Sequence, residues 1–494
     1  MKFICLCFAL LGFMVASPSH AGRITVIGDS LTKEYQITFP GVNFPPLVNI
    51  EGIDPLNPSA RNWAEILHER RNAHFDSGSF RSSLFNPWTD LRVLGHQCNW
   101  AVAGATARSI SLMVTDPDSP ELQKDPNFVS LASFAADWKM TPQRIKAQLQ
   151  SESAASVIWC GGNDLRFGNA DPTTSLGGIK ISYGTIYQGD GTGLGDPQPL
   201  MDSIRTSIKT VALFMRNANP GLPLAVCAVP HVGAAPEVKL LCPDHPVRTG
   251  RITAALDTLN AELKQWTETT LNGIWVDVYS NTRKLLGDTL EIGGVSFIND
   301  SDAIMAPTPA AAHNRYLFSH DGFHPGTPVQ ARVAQLVQAA LRAKAPVAFA
   351  DSPVIGDREV IVTILGLPAS EGYDRFVAGS GVPPGQRGPG DDPDRDGLKN
   401  ILEFALAGND PMKATADPAG VPGSNGSSVT LTWMPRFASN IYAAISCQQS
   451  TSMESWTDLP DTQIALNPDG SMTASMITAG PGPVFLRLKA AATP

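Results

Sequence analysis

From residue 22 to about 346, two hydrophobic periods alternate along the chain. Short apolar runs rich in Val and Ile, "RITVIG", "LRVLGHQ", "SVIWCG", "LPLAVCAV" and "GIWVDVY", read as strands buried on both faces. Between them, apolar residues recur at helical spacing. "RNWAEILHERR" sets Trp63, Ile66 and Leu67 on one face, and "RITAALDTLNAELKQW" does so with Ile252, Leu256, Leu259, Leu263 and Trp266. The last such segment opens with a Thr327 cap and Pro328 at the first helical position. Its stripe is Val329, Val333, Leu336, Val337 and Leu341. This alternation predicts an α/β fold, a parallel sheet with helices on both faces. In such sheets the functional site lies at the carboxyl ends of the strands.

One stretch breaks the pattern. Residues 165–200 are rich in Gly and lack a period, the signature of a long loop that is functional or disordered. After about 346 the composition changes. "GSGVPPGQRGPGDDP" reads as a linker, and from about 425 short alternating segments such as "SSVTLTWMP" and "VFLRLKA" predict a small all-β module. The expected organisation is a leader over 1–21, an α/β domain over 22–346, a linker with an acidic loop over 347–424 and a β module over 425–494.

Composition narrows the function. The chain has 494 residues, 43% hydrophobic and 17% charged, enough for a sizeable core and too apolar for global disorder. Its net charge of -9 argues against sequence-independent nucleic-acid binding, and no basic run suggests an anionic membrane surface. Lys2, the apolar "FICLCFALLGFMVA" and "SHA" at 19–21 form a signal-peptide pattern, with the mature chain starting near Gly22. The expected location is therefore exported: secreted, periplasmic or cell-surface. No later stretch is apolar enough to span a bilayer. Cys5 and Cys7 leave with the leader. Cys98, Cys160, Cys227, Cys242 and Cys447 remain, an odd number, so at least one is not paired within the chain.

Four stretches carry chemistry. "GDS" at 28–30 ends the first strand, and "NWAVAGAT" spans 99–106. "WCGGNDLRFG", 159–168, follows a strand, and "HDGFHPGTP", 320–328, precedes the last helix. Asp321 and His324, three residues apart, fall on the same side of the chain, where an Asp can fix the tautomer of a His. Such a His can take the proton of a Ser hydroxyl that is otherwise too weak a nucleophile. Oxyanion donors are available at the Ser30 and Gly104 backbone N–H groups and at the Asn163 side-chain amide. Taken singly, each feature has a structural reading as a turn or a close packing contact.

Their order and context resemble the SGNH (GDSL) hydrolase family. "GDSL" at 28–31 resembles its first block, Gly104 in "NWAVAGAT" the second, "GGND" at 161–164 the third and "DGFHP" at 321–325 the fifth. The resemblance covers roughly 22–346. It implies a three-layer α/β/α sandwich and a serine esterase with Ser30 as nucleophile and Asp321 and His324 completing the triad. It also implies an oxyanion hole of Ser30, Gly104 and Asn163, with no cofactor for catalysis. Lys33, Glu34 and Tyr35 depart from the commonest members and either shape the pocket or are exposed. His231 in "AVPHVGAAP" is not expected to be catalytic, and Asp29 is assigned to holding its loop. The expected substrate is a carboxylic ester, with O-acetylated carbohydrate set against lipid or phospholipid. The alternative of another class is a catalytically idle surface-binding protein.

The segment "DPDRDGLKNILE", 392–403, has the spacing of an EF-hand calcium loop. The expected ligands are Asp392, Asp394, Asp396, the Leu398 carbonyl and Glu403. The preceding Pro/Gly-rich chain makes it more similar to thrombospondin type 3 or dockerin loops than to a full EF-hand. The tail as a whole resembles C-terminal modules of exported bacterial proteins. Cell surface, glycan and sorting machinery all stand open as its partner.

Overall fold

The computed structural model describes residues 22–35, 57, 59–81, 87–132, 135–166, 182–189, 195–287, 289–299, 314–414, 420–424, 427–477 and 483–493. The expected leader, and 167–181 and 190–194 of the Gly-rich insertion, lie outside the described residues.

Four parallel strands, β1 (Ile24–Gly28), β2 (Ala155–Trp159), β3 (Leu224–Cys227) and β4 (Ile274–Val276), form the central sheet in sequence order. Every residue of the first three is buried, as helices on both faces require. On one side α1 (Trp63–Arg71) packs against α5 (Thr327–Lys344); elsewhere α2 (Ala107–Thr115) and α4 (Pro246–Thr269) pack on α3 (Gln198–Ala218). The start of α1 is fixed by a capping box. Asn62 Oδ1 accepts from the N–H groups of Ala64 and Glu65, and Glu65 Oε2 accepts from Asn62 N. The expected Thr327 cap is displaced by one residue: Gly326 caps α5, and the Thr327 hydroxyl instead accepts from Arg61 N at 3.2 Å.

"LRVLGHQ" is not a strand of the central sheet. Only Gly95–His96 is extended, paired antiparallel with Phe80–Arg81. Arg92 folds back onto Asp90, and Val93 (φ 48°) and Gly95 (φ 112°) turn the run into a loop. The next segment takes the place beside β1. Val26 N donates to Cys98 O and Trp100 N to Val26 O, both at 2.9 Å, and Val102 N donates to Gly28 O at 3.0 Å. This irregular pairing carries "NWAVAG" alongside the strand that ends in Gly-Asp-Ser.

The main hydrophobic core runs past the expected boundary at 346. Phe349, Ile355, Val360, Ile361, Leu365 and Leu367 belong to it. Gln338 on α5 holds this wrapping segment by accepting from Ile355 N (2.8 Å) and donating to Ser352 Oγ (2.9 Å). Beyond it, α6 (Glu371–Gly379) and α7 (Asn400–Ala405) precede two antiparallel sheets built from strands between Val421 and Ala492. A small core of Tyr373, Val377, Ile401 and Phe404 joins the helices, and another of Leu431, Trp433, Cys447 and Ala474 fills the β module. All five described cysteines are buried and unpaired. Among the described residues, no helix is long and apolar enough to cross a membrane.

Candidate active site

β1 ends at Gly28, a position kept as glycine because an added Cβ would lie 2.4 Å from the Trp159 carbonyl oxygen. The chain then turns, with Thr32 N and Lys33 N donating to Asp29 O at 3.1 Å and Leu31 N donating to Asp29 Oδ1 at 2.9 Å. Asp29 is fully buried. Its burial pushes the carboxyl up to about 7, opposed by N–H groups of Leu31, Gly161 and Gly162. Through Leu31 N it holds the turn, and Ser30 is presented at the strand's carboxyl end.

Ser30 Oγ lies 2.7 Å from His324 Nε2, across 294 residues of sequence. On its other side the ring meets Asp321, with Nδ1 bonded to Oδ2. Three donors fix the second Asp321 oxygen: Phe323 N (2.9 Å), His324 N (3.0 Å) and Ser319 Oγ (2.7 Å). Ser30 and His324 are buried, whereas Asp321 keeps one side open to solvent. Partial burial works against the Asp321 charge, but the His324 ring and these N–H groups prevail and hold the carboxyl well below the usual range.

Asn163 lines the same pocket as Ser30, and its Nδ2 donates to Ala105 O at 3.1 Å. One amide hydrogen is thereby used and the group oriented, leaving a second hydrogen to donate. Gly104 has φ 77°, and an added Cβ would sit 2.6 Å from Asn127 Oδ1. Asn127 Nδ2 donates to Gly104 O at 3.1 Å and so fixes the direction of that backbone. Asp164, next to Asn163, accepts from Ala107 N at the start of α2 (2.8 Å); burial pushes its carboxyl up to about 7 against that N–H. The five residues expected at the site are thus brought to one end of the sheet.

The cavity beside Ser30 measures about 30 Å³, and its walls include Pro230, Val232, Phe318 and Phe323. His231 also lines it. That ring is buried, which lowers its pKa to about 4, and its Nε2 is 3.1 Å from Thr253 Oγ1. It is a neutral wall residue. Phe323 meets the His324 ring edge-on, centroids 5.3 Å apart.

Several supporting residues had no signal in the sequence. Tyr35 donates its hydroxyl to Pro325 O at 2.8 Å, and Gln330 Nε2 donates to Tyr35 Oη (2.8 Å) and Leu31 O (3.3 Å). These bonds tie the Ser30 turn to the loop that carries His324. Lys33, Glu34 and Tyr35 therefore neither shape the pocket nor lie exposed. Lys33 Nζ donates to Leu94 O (2.9 Å) and pairs with Glu34 (3.2 Å), whose Oε1 accepts from His96 N (2.8 Å). In the tail, Asp392, Asp394 and Asp396 bring one oxygen each within 4.8 Å of one another, Glu403 is fully buried, and Leu398 N donates to Asp396 Oδ1 (2.8 Å).

The sequence model of the GDSL-like Lipase/Acylhydrolase family matches residues 24–337. The chain belongs to the GDSL-like lipase/acylhydrolase family. It is an ester-hydrolysing enzyme. Solved structures similar to this GDSL-like enzyme include the following. A carbohydrate esterase family 3 protein from Talaromyces cellulolyticus is 13% identical over 66% of this chain and 99% of that chain, TM-score 0.30. A protein described as a GDSL-like lipase from Parabacteroides merdae is 12% identical over 65% and 95%, TM-score 0.28. An acetyl esterase mutant with acetate ion is 13% identical over 66% and 99%, TM-score 0.29. No curated protein matches the chain.

Proposed function

We propose that this enzyme is an exported serine esterase that hydrolyses short-chain carboxylic esters, O-acetylated carbohydrates among them, through an acyl-enzyme on Ser30. The reading rests above all on the continuous hydrogen-bonded chain from Ser30 Oγ through His324 to Asp321. His324 Nε2 takes the Ser30 proton as Oγ attacks the ester carbonyl. Asp321 keeps the other ring nitrogen protonated and stabilises the imidazolium that forms. The developing oxyanion receives hydrogen bonds from the Ser30 and Gly104 N–H groups and the second hydrogen of the Asn163 amide. His324 returns the proton to the leaving alkoxide. Water, deprotonated by the same nitrogen, then releases the acid and restores Ser30. Export rests on the leader pattern of the sequence alone.

A small acyl group is favoured by the walls beside Ser30, where Pro230, Val232, Phe318 and Phe323 crowd the space next to the nucleophile. An ester panel tests this: 4-nitrophenyl acetate, octanoate and palmitate beside acetylated glycans and phospholipids. The acetyl ester should give the highest kcat/KM among the nitrophenyl esters, with acid released from acetylated glycan. Preference for palmitate or phospholipid would make the enzyme a lipase or phospholipase-type acylhydrolase. No turnover of any ester would leave a catalytically idle surface-binding protein.

A further inference from the structure

Loop N–H groups serve one oxygen each of Asp392, Asp394 and Asp396 in the tail, and leave other carboxylate oxygens there unserved. Asp392, Asp394 and Asp396 converge on one point, an oxygen of each within 4.8 Å of the others. Glu403 lies behind them on α7, fully buried, and neither of its oxygens has a hydrogen-bond partner. One oxygen each of Asp392 and Asp394 is likewise buried without a partner. The charges that act on the Glu403 carboxyl are chiefly those of Asp394, Asp396 and Asp392, so it faces the cluster. The nearby Arg436 attracts Glu403 but gives its carboxylate no hydrogen bond, since its guanidinium donates to the carbonyls of Glu403, Phe404 and Asn409. A buried carboxylate without a donor is costly, so it either takes up a proton or is completed by a cation.

We propose that residues 392–403 bind one calcium ion through the carboxylates of Asp392, Asp394, Asp396 and Glu403 and the Leu398 carbonyl, and that the ion clasps the β module to the segment before it. Hard oxygen ligands at positions 1, 3, 5, 7 and 12 of a loop suit the large, flexible coordination shell of calcium better than the small octahedron of magnesium. Glu403 is what turns the loop into a clasp. On one side its helix is bonded to the preceding chain: Asn400 Nδ2 donates to Gln386 O (2.8 Å) and Gly388 O (3.0 Å), and Ile401 N to Pro389 O (3.2 Å). Tyr373 of α6 adds its hydroxyl bond to Arg387 O at 2.8 Å. On the other side Arg436, in the β module just after its strand Ser428–Trp433, holds the carbonyls at the end of α7. Phe404 packs between, with ring centroids 5.6 Å from Tyr373 and 5.5 Å from Phe437. Drawing Glu403 onto an ion shared with the loop therefore fastens the joint.

Calorimetric titration of the full mature chain, stripped with EDTA and dialysed, tests the proposal. Calcium should give a one-site isotherm with a Kd of roughly 0.1 to 1 mM, and magnesium weaker binding. Calcium should slow tryptic cleavage after the exposed Arg395, while turnover of 4-nitrophenyl acetate stays unchanged. Glu403→Gln should weaken calcium binding by at least about ten-fold. Absence of calcium heat in the wild-type chain, with cleavage equal in calcium and EDTA, would overturn the site and leave an acidic turn. Calcium binding undiminished by Glu403→Gln would overturn the clasp. The wild-type titration decides the first point even if the variant folds poorly.

Discussion

Replacing Asp321 by Asn tests the triad at its most constrained point. Asp321 Oδ1 accepts from Phe323 N, His324 N and Ser319 Oγ. In Asp321→Asn the amide oxygen must keep that position, because an NH₂ group there would face two backbone donors. The NH₂ is thereby forced toward His324 Nδ1, where Asp321 Oδ2 now sits. Facing a donor, Nδ1 must give up its proton, and the neutral ring then carries its hydrogen on Nε2. That is the nitrogen 2.7 Å from Ser30 Oγ, so the base is blocked and not merely weakened. The same tautomer error in a Ser-His-Asp triad lowers kcat by about 10⁴, or about 5.5 kcal/mol of barrier. The assay is kcat and KM on 4-nitrophenyl acetate, beside a thermal melt. The carboxyl is held below its ordinary 3.8, so its stabilisation is present above that pH and lost only as pH falls through the folded value. The variant should therefore melt somewhat lower at neutral pH while remaining folded. A folded Asp321→Asn enzyme within ten-fold of wild-type kcat would refute the reasoning.

Asn163→Ala should lower kcat by about 100- to 1,000-fold with a modest change in KM, the usual loss of one oxyanion donor; a change confined to KM would mean simple substrate binding instead. Tyr35→Phe removes the hydroxyl bond to Pro325 O and should cost about 1 kcal/mol in a denaturant titration, with a smaller fall in kcat as the His324 loop loosens. Glu65 is buried beneath the α1 cap, and that burial raises its pKa from 4.5 to about 8 against the N–H groups of Asn62 and Tyr35. The folded chain thus keeps a proton that the unfolded chain sheds, and stability falls as pH rises from about 4.5 to about 8. Glu65→Gln should flatten that decline in melts run from pH 5 to 9; an unchanged slope would show that Glu65 is not its source.

The sheet and the site were legible where chemistry and period agreed. Ile24–Gly28, Ala155–Trp159 and Leu224–Cys227 are buried on both faces and read as apolar runs, as does Ile274–Val276 with Trp275 only partly covered. "LRVLGHQ" misled because its apolar residues are buried too, in a loop turned by Val93 and Gly95 and by the ion pair of Arg92 with Asp90. The boundary at 346 marked a change of composition and not of packing, since Leu365 and Leu367 still reach the main core. Ser30, Asn163, Asp321 and His324 stood out by their turn contexts. Tyr35, Asn127 and Gln330 did not, because their roles depend on partners 23 to 299 positions away and on hydrogen bonds that leave no period. Glu403 was legible as the twelfth loop position; its burial without a donor was not.

Covalent labelling tests the central claim most directly. A serine-reactive phosphonate should inactivate the enzyme with a stoichiometry of about one, and peptide mass spectrometry should place the adduct on Ser30. Ser30→Ala should take no label and lose esterase activity while keeping its fold. Labelling at another residue, or a Ser30→Ala enzyme that still turns over 4-nitrophenyl acetate at the wild-type rate, would contradict the assignment of Ser30 as nucleophile.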